Sequence, residues 1–235
     1  MLSVIGLDAD DTLWQNERYY RAAEAEFAAL LADFADPPAL QERVDACHRT
    51  NMGIYGVGAK SFTLTLIEAA IDVSDGVVSA DVLRKIVEVG RELLAHPIEL
   101  LPHAREVVET LSAEGYRIVL ITKGDLFHQE RKIAASLLDN HFDAVEIVSE
   151  KRPETYNGIF ARHGAGAASA MMVGNSLKSD IIPAITAGAW GVYVPHEQTW
   201  ALEHAEPPES APRYRKLAHL GELPALAARI AVGAG

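Results

Sequence analysis

Five short apolar runs recur along the chain: Val4 to Leu7, Ile118 to Ile121, Val145 to Val148, Met171 to Val173 and Val192 to Val194. Most are separated by segments long enough for a helix. Short apolar runs without alternation suit strands buried on both faces, and helix-length connections are what parallel strands require. The stretch His103 to Glu114 has a helical pattern, and Gly115 stands where it should end, just before the strand Arg117 to Ile121. The pattern predicts an α/β core with a doubly wound parallel sheet.

Residues 16–97 read differently, with long helical patterns and little that resembles a buried strand. Glu17 to Phe34 places Ala22, Ala23, Phe27, Leu30 and Leu31 near a 3.6-residue period, and Pro37-Pro38 is expected to stop that helix. Asp81 to Leu94 repeats the pattern. The expected division is therefore a core of residues 1–15 and 98–235 with an all-helical insertion at 16–97. Within the insertion, Asn51 to Lys60 carries Gly53, Gly56 and Gly58 together with Tyr55 and Lys60. A glycine loop can let a ligand approach closely, and a plain turn between helices is equally compatible. Its glycine spacing fits neither a P-loop nor a dinucleotide fingerprint. Glu206 to Pro212 reads as an extended connection, and Leu223 to Ile230 as a final helix.

A net charge of -12 argues against binding nucleic acid polymers or anionic membranes, both of which need clustered cations. No apolar stretch approaches the roughly 20 residues needed to span a bilayer. The single cysteine, Cys47, cannot form an intrachain disulfide, and a cytoplasmic location is expected. His196 and His204 lack the short spacing of a structural zinc site; with Trp200 they flank the last apolar run.

Chemistry is concentrated where strands should end, which is where open α/β sheets bind ligands. Asp8-Ala9-Asp10-Asp11-Thr12 follows the first run directly. Three acids in four residues repel one another unless a cation offsets them, and a divalent metal is the simplest candidate. A turn and helix cap is the plainer alternative. Thr122-Lys123-Gly124-Asp125 follows a second run and could bind an oxyanion or cap a helix. Lys151 stands beyond a third run, with Arg152 competing for the same role. Gly174-Asn175-Ser176 follows a fourth, and Asp180 is expected near the start of a helix that Pro183 marks.

Taken in this order, these four segments resemble the haloacid dehalogenase superfamily, in its phosphatase branch with a helical C1-type cap, over essentially the whole chain. Asp8, Asp10 and Thr12 match the first motif, Thr122 the second, Lys151 the third, and Gly174 with Asp180 the fourth, in which Asn175 replaces an acid. The resemblance implies a Rossmann-like core and a magnesium-dependent hydrolysis of a small phosphorylated metabolite. Asp8 would be the nucleophile, Asp10 the acid/base, and Thr122 and Lys151 the stabilisers of the phosphoryl oxygens. Mg2+ would be held by Asp8, the Asp10 backbone, Asp180 and Asn175, the last directly or through water. Thr12, Lys123, Tyr55 and Lys60 are the candidates for substrate contact. Two alternatives remain: hydrolysis of a carbon–halogen bond, whose enzymes in this superfamily lack the second acid and need no magnesium, and a binding or regulatory protein with little turnover.

Overall fold

A computed structural model describes residues 2–233. The strands are β1 (Val4–Leu7), β2 (Arg117–Lys123), β3 (Ala144–Val148), β4 (Ala170–Gly174), β5 (Trp190–Tyr193) and β6 (Tyr214–Lys216). In chain order the helices are α1 (Glu17–Leu30), α2 (Pro37–Tyr55), α3 (Ala59–Val73), α4 (Ala80–Ala95), α5 (Ala104–Ala113), α6 (Leu126–Ser136), α7 (Pro153–His163), α8 (Ile182–Thr186) and α9 (Leu223–Ala231). The chain divides into two compact units. One holds residues 2–17, 98–123 and 129–233; the other holds 18–97 together with 124–128.

The first unit is a six-stranded parallel sheet in the order β3-β2-β1-β4-β5-β6, a Rossmann-like arrangement with helices on both faces. Successive residues of a strand point to opposite faces. Accordingly Ile5 and Leu7 pack with Val107, Val108 and Leu111 of α5 and Leu226 of α9, whereas Val4 packs with Ile159 and Phe160 of α7. Both faces being covered explains why the strands read as unbroken apolar runs. Register then sets the site. Leu7 lies opposite Leu120 of β2 and Val173 of β4, so the residues just beyond these positions emerge along one edge of the sheet. β6 was not expected, because Tyr214-Arg215-Lys216 contains no apolar run.

The second unit is helical, with a core that includes Phe27, Leu40, Val44, Phe62, Leu66, Ile86 and Leu93. α3 and α4 approach closely at Gly90, where an added Cβ would come within 2.1 Å of Thr63 Oγ1. Two expectations need correction. α1 ends at Leu30, and Pro37-Pro38 does more than stop it: both prolines sit in the first turn of α2, with the Asp36 carboxylate accepting from Ala39 N. A missing N–H costs nothing there. The glycine loop is also shorter, since Asn51 to Tyr55 form the last turns of α2 and only Gly56 to Gly58 connect to α3. Among the described residues no helix is long and apolar enough to cross a membrane.

Candidate active site

Of the four strand-end segments, Asp8 to Thr12, Thr122 with Lys123, Lys151 and Gly174 to Asp180 lie in the first unit, while Gly124 and Asp125 belong to the second. Asp8 continues β1, its backbone N–H donating to Val173 O. Its Oδ1 accepts from Lys151 Nζ at 2.5 Å and its Oδ2 from Thr12 Oγ1 at 3.0 Å. The same lysine donates to Asp180 Oδ1 at 2.7 Å, so one ammonium bridges two carboxylates. All three side chains are buried. Arg152, the competing cation, is exposed at the start of α7 and takes no part in this bridge.

Asp180 reaches the edge through a tight turn. Its Oδ2 accepts from Ser176 N at 3.0 Å, and Gly174 is needed because an added Cβ would lie 2.2 Å from that oxygen. The helix around it is a wide turn, Leu177–Ile181, before α8 begins with Pro183 in its first turn. Burial, and then the charge of Asp8, push the Asp180 carboxyl up to about 7 despite Lys151 and Ser176 N. For Lys151 burial acts downward, but the charges of Asp180 and Asp8 win and raise it. Asn175 lies beside Thr12: its N–H donates to Thr12 Oγ1 at 3.1 Å, and its Oδ1 is 3.3 Å from that hydroxyl.

The acids after Asp8 divide their tasks. Asp11, at φ 59°, turns its carboxylate to the backbone N–H groups of Asn16 and Glu17 and so caps the start of α1. The helix-cap alternative is therefore correct for this residue alone. Burial and the charge of Asp10 raise Asp11 to about 6, partly offset by His196, whose Nδ1 lies 3.8 Å away. Asp10 faces another buried lysine. Lys132 Nζ lies 2.6 and 2.7 Å from its two oxygens, Trp14 Nε1 donates to Oδ1 at 2.8 Å, and Gln129 Nε2 to Oδ2 at 3.2 Å. Burial pushes the Asp10 carboxyl up, yet the Lys132 charge and these hydrogen bonds bring it below its ordinary value. Two lysines and two backbone amides thus offset the clustered acids within the protein itself.

Thr122 is in β2, and Gln129 Nε2 donates to its Oγ1 at 2.5 Å. With that oxygen accepting, the hydroxyl proton is available for a ligand oxygen. Lys123, a candidate for substrate contact, is paired with Glu203 at 2.8 Å and with Ser179 Oγ at 3.2 Å. Glu203 also accepts from Ser176 and Ser179, which ties the segment between β5 and β6 to the loop carrying Asp180. Lys60 and Tyr55 belong to the helical unit. There Lys60 pairs with Asp125 at 2.9 Å, and Tyr55 is exposed at the end of α2. Asp125 also accepts from His128 N and so caps α6.

Sequence reasoning missed Trp14, Gln129, Lys132 and Glu203. Gln129 and Lys132 are spaced i, i+3 and therefore share one face of α6.

Among the described residues no three His, Cys, Asp or Glu side chains converge as a metal site. The oxygen donors at the Asp8 end are the carboxylates of Asp8 and Asp180 and the amide of Asn175. An all-oxygen set with few charges suits Mg2+, which keeps several waters. Burial, and after it the charge of Asp8, raise the Asp180 carboxyl, and a further cation there would favour its ionised form.

An acid raised from 3.8 to about 7 binds more protons folded than unfolded between those values. Stability without divalent cations should therefore fall as pH rises from about 4 to 7. Asp180→Asn should flatten that decline in the melting temperature; equal slopes in both proteins would contradict this assignment.

The sequence matches the haloacid dehalogenase-like hydrolase family over residues 2–188. No curated protein matches. Among solved structures, a haloacid dehalogenase-like family hydrolase from Xanthomonas campestris is 40% identical, with 100% of this chain and 94% of that chain covered and a TM-score of 0.88. A 2-haloacid dehalogenase from Pseudomonas syringae pv. Tomato is 20% identical (98% and 100% covered, TM-score 0.63). A predicted phosphoglycolate phosphatase from Haemophilus somnus is 18% identical (96% and 97% covered, TM-score 0.65). The last two share the fold, and their differing names mean that the fold alone does not choose the reaction.

Proposed function

The chain belongs to the haloacid dehalogenase-like hydrolase family, and within that family we propose that it is a magnesium-dependent phosphatase of small phosphomonoesters, acting through an aspartyl-phosphate on Asp8. The observation that carries this reading is the second acid. Asp10 is held beside the nucleophile segment by four hydrogen bonds from three side chains. A halide leaves without a proton, so displacing it needs no such group. An alkoxide leaving from phosphorus does need one.

In this reading the Asp8 carboxylate attacks phosphorus in line and the ester oxygen leaves, splitting one hydrolysis into two displacements. The Thr122 hydroxyl and the Lys151 ammonium stabilise the phosphoryl oxygens as charge shifts. The incoming dianion brings negative charge near the Asp10 carboxylate and raises its proton affinity, so that it takes up one proton from solvent, passes that proton to the leaving oxygen and returns to the carboxylate. It then takes a proton from the water that opens the aspartyl-phosphate. Asp8, Asp180, Asn175 and the Asp10 backbone carbonyl would hold Mg2+, which when bound supplies positive charge to the transferring phosphoryl group. The substrate would be a small phosphorylated metabolite in a cytoplasmic setting.

One observation favours a second reading, carbon–halogen hydrolysis. Lys151 is already paired with both Asp8 and Asp180, and Asn175 stands where an acid would strengthen metal binding. Phosphate release from an aryl phosphate and a panel of small phosphoesters, with and without Mg2+, tests the proposal. Magnesium-dependent turnover supports it. No phosphate from any ester, with halide released from a 2-haloacid in the absence of metal, would replace it with the second reading.

A further inference from the structure

We infer that Lys132, with Gln129, is a positioning residue that sets the Asp10 carboxylate for proton transfer and leaves Oδ2 as its working oxygen. The inference rests on the phosphatase reading and adds to it a role for two residues outside the family motifs identified above.

The geometry is specific. A carboxylate offers about four acceptor sites, and all are engaged: Oδ1 by Lys132 at 2.6 Å and Trp14 at 2.8 Å, Oδ2 by Lys132 at 2.7 Å and Gln129 at 3.2 Å. Lys132 is 4% exposed and also donates to Asn16 Oδ1 at 3.2 Å, so it is fixed from two sides. The four bonds differ in how easily they are exchanged. Gln129 has two amide protons but three acceptors in range: Thr122 Oγ1 at 2.5 Å, Asp10 Oδ2 at 3.2 Å and Lys123 O at 3.5 Å. Its bond to Asp10 is long and contested, so a ligand oxygen can take that place while Gln129 remains on Thr122. Oδ1 has no such weak partner and stays anchored. Gln129 therefore couples the acid/base to the hydroxyl that meets the phosphoryl group, and Lys132 holds the Asp10 carboxylate in place through both its oxygens.

A lysine buried only for stability would, when replaced, slow every substrate alike. A lysine acting through Asp10 should matter in proportion to the need for a proton. General acid–base catalysis contributes about 100- to 10,000-fold. Lys132→Met should therefore lower kcat/KM about 100-fold for alkyl phosphates, whose leaving oxygens must be protonated. For dinitrophenyl phosphate, whose leaving group needs no proton, the loss should stay within about threefold. Lys132→Arg, which can grip both oxygens, should recover much of the alkyl rate.

The Asp10→Asn/Lys132→Met double variant avoids leaving a buried charge unpaired and serves if Lys132→Met folds poorly. In the Asp10→Asn background the lysine change should cost nothing further on alkyl phosphates, because its effect passes through Asp10. Equal losses across leaving groups, or additive losses in the double variant, would overturn the inference and leave the phosphatase reading intact. A wild-type protein that releases phosphate from no ester would overturn both.

Discussion

Asp8→Asn should abolish phosphate release, lowering kcat by about 10,000-fold or more, the scale on which removal of a nucleophile is felt in enzymes with covalent intermediates. The substitution preserves shape and leaves Lys151 paired with Asp180, so the protein should stay folded. Unchanged far-ultraviolet circular dichroism and a melting temperature close to wild type would show that the loss is chemical. A variant retaining a tenth of the wild-type rate would mean that another group, or water, attacks the substrate.

The largest effect on stability is expected at Lys151. Lys151→Met removes the only ammonium bonded to Asp8 and Asp180 among the described residues, leaving two buried carboxylates facing each other. Breaking a buried ion pair from one side costs about 3–5 kcal/mol, because the remaining charge is uncompensated. The urea midpoint should fall accordingly with the slope unchanged. Adding Asp180→Asn should recover part of the loss, since one of the two stranded charges is then removed. A midpoint equal to wild type, or a double variant less stable than the single, would show that the bridge contributes little.

The sheet and the strand-end motifs were legible because both are local signals. β1, β2 and β4 are buried on two faces and read as apolar runs, while Asp8, Thr122 and Asp180 lie at or just beyond strand ends. β6 was hidden by its brevity and by Arg215 and Lys216. α6 misled for a different reason. Leu126 and Phe127 are exposed, at 59% and 61%, while Gln129 and Lys132 are buried, inverting the usual sense of an amphipathic helix. A sequence reader assigns that lysine to solvent, because burying a charge is costly unless it is paired. Its partner Asp10 lies 122 positions away. The same distance in sequence explains why a metal is the simplest offset for Asp8, Asp10 and Asp11 that the sequence offers: neither Lys132 nor Lys151 is local, and the capping role of Asp11 depends on a left-handed backbone at φ 59°.

On the proposed mechanism a phosphoryl group is carried on Asp8, and Asp10 is the base that releases it. Mixing the Asp10→Asn variant with dinitrophenyl phosphate and Mg2+ separates the two steps, because the first then needs no acid while the second lacks its base. A burst of about one dinitrophenol per active site, followed by slow turnover, is expected. Acid-quenched protein should carry one phosphoryl group on the peptide containing Asp8. Steady release without a burst, with no phosphoryl group on that peptide at any quench time, would contradict it.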